Sequence, residues 1–320
     1  MPRTRAISIV VPHTIAPMNK MALLLSAALL FAPLAFALPP QAASTAAQQL
    51  NEGLQSDVSV EQNVSYSATD PVLRLDVYKP AGAATAPRPA VILIHGGGWT
   101  SFDKSTMQSM GNFLARHGYV AFSVDYRLFN DGKNPWPAQL DDVQRAVRWV
   151  RANAAKYTVD PDHIGAFGHS AGGQLAALLG MEETRDNSDH ALAKYSSRVQ
   201  AVVDVSGPTD FTAMHDPERI AFLTQFLNAD YAKNPQAWRN ASPVSHVAKT
   251  DAPFLIVHGT QDQSVSMDQP QELYDKLKAV GVPVSFIKVN DVHTFRTPEA
   301  RRQLAFETLE FFNHNLGVAK

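Results

Sequence analysis

Short apolar runs alternate with segments of helical period along most of this chain, which predicts parallel strands joined by crossover helices. Residues 73–78 alternate between apolar and polar and predict an early, half-exposed strand. Residues 90–94 form a continuous apolar run that ends in glycines, as a buried strand does. A helix over 107–116, stopped by Gly118, leads to a strand over 120–124. Leu140, Val143, Val147, Val150 and Ala154 recur at three- and four-residue spacing, so 137–156 reads as one amphipathic helix with Pro137 near its start. Strands follow at 164–167, 201–205, 254–258 and 284–289, and helices at 171–179, 269–279 and 301–314.

Two stretches break this rhythm. Residues 182–198 are polar and read as a surface loop. Residues 211–249 carry Phe211, Phe222, Phe226, Tyr231 and Trp238 between two strands. That is too long for a simple crossover, and the segment is either a small cap over the site or extra helices beside the core.

The chemistry-bearing residues fall at the predicted strand ends. Gly168-His169-Ser170-Ala171-Gly172 is a G-x-S-x-G sequence between an apolar strand and a small-residue helix, the setting in which such a serine sits on a sharp turn. Ser170 is the candidate nucleophile. His95-Gly96-Gly97-Gly98-Trp99 follows the strand at 90–94. Its glycines let backbone N–H groups approach a reacting carbonyl, which makes Gly97, Gly98 and Ala171 the candidate oxyanion donors. A phosphate-binding reading fails because no Lys-Ser/Thr follows in P-loop spacing. Trp99 and His169 are candidate substrate contacts, and His95 is expected to order its loop.

A serine hydroxyl needs a base. Of the eleven histidines, His293 lies in a loop between the last strand and the C-terminal helix, where an open α/β sheet gathers its site. His258 lies within a strand run and reads as structural. Asp262, just past the strand at 254–258, is the candidate orienting acid. Asp251 precedes that strand and Asp268 begins a helix, so both are weaker candidates. The order Ser170, Asp262, His293 is that of serine hydrolases on a doubly wound sheet. No arrangement suggests a metal site or paired-carboxylate chemistry.

Composition changes this picture little. The chain has 320 residues, 45% apolar and 18% charged, with a net charge of −2, which gives no reason to expect a nucleic-acid partner. The absence of cysteine excludes disulfides and thiol catalysis. The N-terminus adds more. Lys20, an apolar run over 21–38 interrupted by Pro33, and Ala35-Phe36-Ala37 read as a secretory signal peptide over residues 1–37, with 1–17 a possible extension before Met18. A membrane anchor is the competing reading, and the run is near the lower limit for spanning a bilayer. Cleavage would leave no stable membrane anchor, a secreted or periplasmic protein, a lead-in at 38–56 and one catalytic domain at 57–320.

These motifs together resemble the α/β-hydrolase superfamily, and are most similar to its hormone-sensitive-lipase-like and feruloyl/acetyl-xylan-esterase-like esterases. The resemblance rests on Leu75-Asp76-Val77-Tyr78, residues 95–99, Asp125-Tyr126-Arg127-Leu128, residues 168–173, Ser242-Pro243, residues 258–262 and His293-Thr294-Phe295. It implies a mostly parallel sheet with helices on both faces. It also implies hydrolysis of short-chain carboxylic esters without a cofactor, on small molecules or polysaccharide-linked acetyl or feruloyl groups. Asp142 matches a position read as structural. Thr294 stands where the family often has glycine. A peptidase, amidase or arylformamidase on the same scaffold, and a binding protein that kept the fold, are the competing readings.

Overall fold

The computed structural model describes residues 57–317. The expected signal peptide and the lead-in at 38–56 lie outside the described residues. Eight strands form one sheet: β1 (Val58–Ser65), β2 (Arg74–Pro80), β3 (Arg88–Ile94), β4 (Val120–Val124), β5 (Val159–His169), β6 (Ala201–Val205), β7 (Phe254–Gly259) and β8 (Val284–Val289). Their spatial order is β1-β2-β4-β3-β5-β6-β7-β8. The pairs β1–β2 and β2–β4 are antiparallel, and all pairs from β4 to β8 are parallel.

The apolar runs are continuous because the central strands are covered on both faces. In β3, Ile92 and Ile94 point into one core while Val91 and Leu93 point into the other. The first core is closed by α2 (Ala138–Ala152), through Leu140, Val143, Val147 and Val150, and by α4 (Ala171–Met181). It also takes Leu273 and Leu277 of α7 (Asp268–Val280). The second core is closed by Leu114 of α1 (Gln108–Arg116) and by Phe312 and Leu316 of α8 (Pro298–Leu316). The result is a helix–sheet–helix sandwich in which the loops leaving β3, β5, β7 and β8 meet at one end of the parallel strands.

Four features differ from the sequence reading. Strand β2 is buried rather than half-exposed: Leu75 and Val77 enter the first core, and Tyr78 enters the second against α1, where Gly111 leaves room for its ring. The strand β1 was not expected. Its alternation, Val58 and Val60, is interrupted by a register shift between Glu61 and Val64, where Asn63 takes φ 58°. The helix read over 137–156 breaks at Asn153, whose side chain donates to the Trp149 carbonyl at 2.9 Å. A separate turn, α3 (Ala154–Tyr157), follows and ends on left-handed Thr158. Strand β5 begins at Val159, five residues before the apolar run shows it, because Val159 pairs with Arg88 ahead of an irregular register.

The segment 211–249 forms α5 (Pro217–Phe226), α6 (Pro235–Ala241) and a short 3₁₀ turn. Each helix opens with proline in its first turn and a side-chain cap. Asp216 accepts from the Arg219 N–H, and Asn234 accepts from the Ala237 N–H. Phe222 and Phe226 of α5 stack over Trp99, so α5 roofs the site, while α6 buries Trp238 beside the core. Residues 182–198 contain no helix or strand, as their polarity predicts.

Candidate active site

Strand β5 delivers Ser170 to the sheet edge on a turn with no slack. Ser170 has φ 56° and ψ −120°, a conformation that costs a non-glycine residue about 1–3 kcal/mol and persists only where its surroundings enforce it. Its N–H is held by the Val205 carbonyl at 2.8 Å. A Cβ at Gly168 would overlap the Gly172 carbonyl, and one at Gly172 would overlap that of Ile94. The two flanking glycines are therefore dictated by close approach of neighbouring backbone, and α4 starts directly from the turn.

Ser170, His293 and Asp262 come together from three different strand ends. The Ser170 hydroxyl donates to His293 Nε2 at 2.8 Å, and His293 Nδ1–H donates to Asp262 Oδ2 at 2.6 Å. The other carboxylate oxygen, Oδ1, accepts from the N–H groups of Ser264 and Val265 at 2.7 and 2.9 Å. Burial raises the Asp262 pKa most, but these hydrogen bonds, led by His293, outweigh it and hold the carboxyl below its usual range. An ionised, fixed carboxylate sets the ring with its proton on Nδ1, leaving Nε2 free to take the serine proton.

The His293 loop is shaped by Asp291. Its Oδ2 accepts from the Thr297 N–H and hydroxyl at 2.8 and 2.7 Å, and Oδ1 from the Val292 N–H at 2.7 Å. These bonds lower its pKa to about 2. The side chain of His258 stays neutral under burial. Its Nε2–H donates to the Val265 carbonyl at 3.0 Å and lies 3.3 Å from Asp262 Oδ2, bracing the acid loop from beneath.

After β3, Gly97 and Gly98 adopt φ 103° and 58°. Among the described residues, the N–H groups of Gly97, Gly98 and Ala171 make no turn, loop or cap hydrogen bond to a backbone carbonyl. The carbonyl of Gly97 is turned the other way, accepting from Thr100 and Ser101. His95 orders this loop. Its Nδ1–H donates to the Gly96 carbonyl at 2.7 Å, and its ring stacks on Tyr126 at 4.3 Å. The Tyr126 hydroxyl donates to the His95 carbonyl at 3.1 Å. The Asp125-Tyr126-Arg127 segment is itself pinned to α2, where Asp142 receives Arg127 Nε and a terminal guanidinium nitrogen at 2.7–3.0 Å.

A cavity of about 150 Å³ opens beside Ser170, lined by Gly98, Trp99, Ala171, Phe222 and Leu223, among others. Trp99 therefore faces the cavity, with its indole N–H donating to Gln174 at 3.1 Å. His169 does not line it. Its Nε2–H donates to the His293 carbonyl at 2.9 Å, so the ring turns away from the cavity and braces the histidine loop. Desolvation lowers its pKa to about 4 and keeps it neutral. Its ring instead borders a separate space with Phe167, Thr294 and Phe295. Adjacent residues on a tight turn project to opposite sides, and Ser170 takes the cavity side.

Next to this cavity lies a polar cleft of about 490 Å³ between residues 213–219 and 262–269. The sequence reading missed its contributors, Met214, Arg219, Ser264 and Ser266 among them. They belong to no motif, and only the aromatic density of 211–249 pointed to that side of the site. Of the alternative acids, Asp251 lies 3.6 Å from Arg198 and accepts from the Ala248 N–H at 2.8 Å, and Asp268 lies at the start of α7. Among the described residues no cluster of three or more metal-ligating side chains occurs.

The chain is similar to several characterised proteins. Esterase LipC of Mycobacterium tuberculosis is 33% identical over 66% of this chain and 53% of LipC. The chain thus spans about half the length of the curated relatives it matches. A truncated carbohydrate esterase from gut microbiota superposes with a TM-score of 0.71 at 30% identity, covering 82% of this chain and 99% of the other. A thermophilic esterase of Thermogutta terrifontis, solved with butyrate bound, superposes with a TM-score of 0.70 at 25% identity, covering 82% and 97%. The BD-FAE family pattern matches residues 75–277, more than half of the chain, on a sheet of the α/β-hydrolase order, and the chain belongs to the BD-FAE family of α/β-hydrolases.

Proposed function

We propose that this chain is an exported serine carboxylesterase that removes short acyl groups from alcohols through an acyl-enzyme on Ser170. One observation carries the reading: the hydrogen-bonded chain Ser170–His293–Asp262 opens on a small apolar cavity that Gly98 and Ala171 also line. In the first step His293 Nε2 takes the hydroxyl proton as Ser170 Oγ bonds to the ester carbonyl carbon. The carbonyl oxygen becomes negative and is met by the N–H groups of Gly97, Gly98 and Ala171, each of the kind worth about 3 kcal/mol of barrier. Collapse expels the alcohol, which leaves with the proton from His293. Water then repeats the sequence and releases the acid. Asp262 holds the imidazole tautomer and stabilises the imidazolium throughout.

The cavity sets the acyl size. About 150 Å³ is a space that takes a guest the size of benzene, or roughly six heavy atoms. Acetyl to butyryl groups fit within it, whereas a feruloyl group exceeds it and would extend into the adjoining cleft. The butyrate held by the Thermogutta esterase and the carbohydrate esterase neighbour support small acyl groups on carbohydrate as substrates. Export rests on Lys20, the apolar run and Ala35-Phe36-Ala37.

A panel of 4-nitrophenyl esters and acetylated oligosaccharides tests this. Turnover of acetyl to butyryl esters, falling steeply beyond butyryl and abolished in Ser170→Ala, is expected. Faster turnover of matched anilides than of esters would overturn it in favour of a peptidase or amidase.

A further inference from the structure

The polar cleft and the apolar cavity share one cationic side chain that has no ion-pair partner among the described residues. Arg219 lines both spaces, together with Met214, Ser264 and Val265. It stands on α5 three and four residues before Phe222 and Leu223, which face the cavity, so helical spacing puts all three on one side. The residue is half-buried, and among the described residues no carboxylate lies within ion-pair distance of its side chain. The carboxylates of the cleft are otherwise engaged. Asp262 holds His293 and two backbone N–H groups, and Asp216 accepts from the backbone N–H of Arg219 itself. Elsewhere the half-buried and buried arginines have partners. Arg127 pairs with Asp142, Arg145 with Asp189, and Arg148 donates to the Leu192 and Asp186 carbonyls. A guanidinium without an ion-pair partner on the lining of the cavity that holds Ser170 has its planar donors available for an incoming acceptor, and a carboxylate matches that fork best.

We propose that Arg219 is a specificity-determining residue that binds a carboxylate on the alcohol half of the substrate. The inference rests on the acyl-enzyme reading above. The acyl group occupies the apolar cavity closed by Trp99 and Phe222, so the alcohol faces the polar cleft, and Arg219 stands where the two meet. The substrate class is then the short-chain acyl ester of a hydroxy acid.

The test compares 3-acetoxybenzoate with its neutral methyl ester in the wild-type protein, Arg219→Gln and Arg219→Lys. Comparing each substrate across variants cancels the difference in leaving-group reactivity. The ratio of kcat/KM for the acid over the methyl ester should fall about 10- to 100-fold in Arg219→Gln, mostly through KM, as loss of one charge-assisted hydrogen-bonding partner predicts. Arg219→Lys should retain part of the ratio. An unchanged ratio would overturn the proposal while leaving ester hydrolysis intact. A ratio that responds only with the carboxylate on the acyl chain, in mono-4-nitrophenyl succinate, would overturn the placement on the alcohol side. Absence of turnover of the methyl ester by the wild-type protein would overturn the ester-hydrolysis reading itself, and this proposal with it.

Discussion

Replacing Asp262 by asparagine changes one atom and inverts the proton relay. The N–H groups of Ser264 and Val265 lie 2.7 and 2.9 Å from Oδ1, so they select the carboxamide oxygen for that position. The new NH2 then occupies the Oδ2 position, 2.6 Å from His293 Nδ1. The opposite orientation would aim the NH2 at two backbone donors and is worse. Facing a donor, His293 Nδ1 must accept, so the ring carries its proton on Nε2 and points it at Ser170 Oγ. The base is then absent although every heavy atom is in place. The same tautomer fault in a serine-protease triad costs about 10,000-fold in kcat, or about 5 kcal/mol of barrier. His258 adds a smaller stability cost, because its Nε2–H, 3.3 Å from Oδ2, would also meet the new donor. The assay is kcat for 4-nitrophenyl acetate, with thermal melting followed by circular dichroism to show that the variant folds. A folded Asp262→Asn protein that keeps activity within about tenfold would refute the assignment of Asp262 as the group that fixes the tautomer.

Other outcomes follow from the same geometry. Asp204, fully buried behind the nucleophile turn, has its pKa raised by desolvation from 3.8 to about 7. Between those values only the native state holds the proton, so stability falls as pH rises across that window and levels off above it, by about 4 kcal/mol at most. In urea unfolding, Asp204→Asn should therefore gain on the wild type between about pH 4 and about pH 8. A relative gain below about 1 kcal/mol would count against a proton held there. Gly172→Ala places a methyl group on the Ile94 carbonyl and should lower the melting temperature sharply, at a cost of about 1–3 kcal/mol or more. A normal melt would show that the turn has slack. Leu223→Ala enlarges the acyl cavity and should raise kcat/KM for hexanoyl relative to acetyl esters, with about 2–5 kcal/mol lost in stability. An unchanged acyl preference would remove Leu223 from the pocket wall.

The legible parts of this protein are those where one physical demand dominates a short stretch. The strands at 120–124, 201–205 and 284–289 were read to their residue limits, because burial on both faces or regular pairing leaves no local conflict. Ser170 was legible because only glycine fits at 168 and 172, and that requirement is written in the sequence itself. His293 and Asp262 were picked out by their places after β8 and β7, and the structure hydrogen-bonds the two. Strand β1 was hidden by its bulge, and the break at Asn153 by an unbroken apolar spacing through Ala154. The cavity wall was not legible, because Met214, Arg219 and Leu223 are set by how α5 lies over the sheet, a tertiary fact that leaves no periodic trace. His169 shows the same limit. Its position was clear, but the carbonyl it bonds lies far along the chain, at His293.

The central claim is that Ser170 is the group that becomes acylated. Incubation with a fluorophosphonate, followed by intact-mass analysis and peptide mapping, tests it directly. The account predicts one adduct per chain on Ser170, with loss of ester turnover in step with labelling and no adduct on Ser170→Ala. A protein that stays unlabelled while folded, or that carries the adduct on another residue, would contradict it.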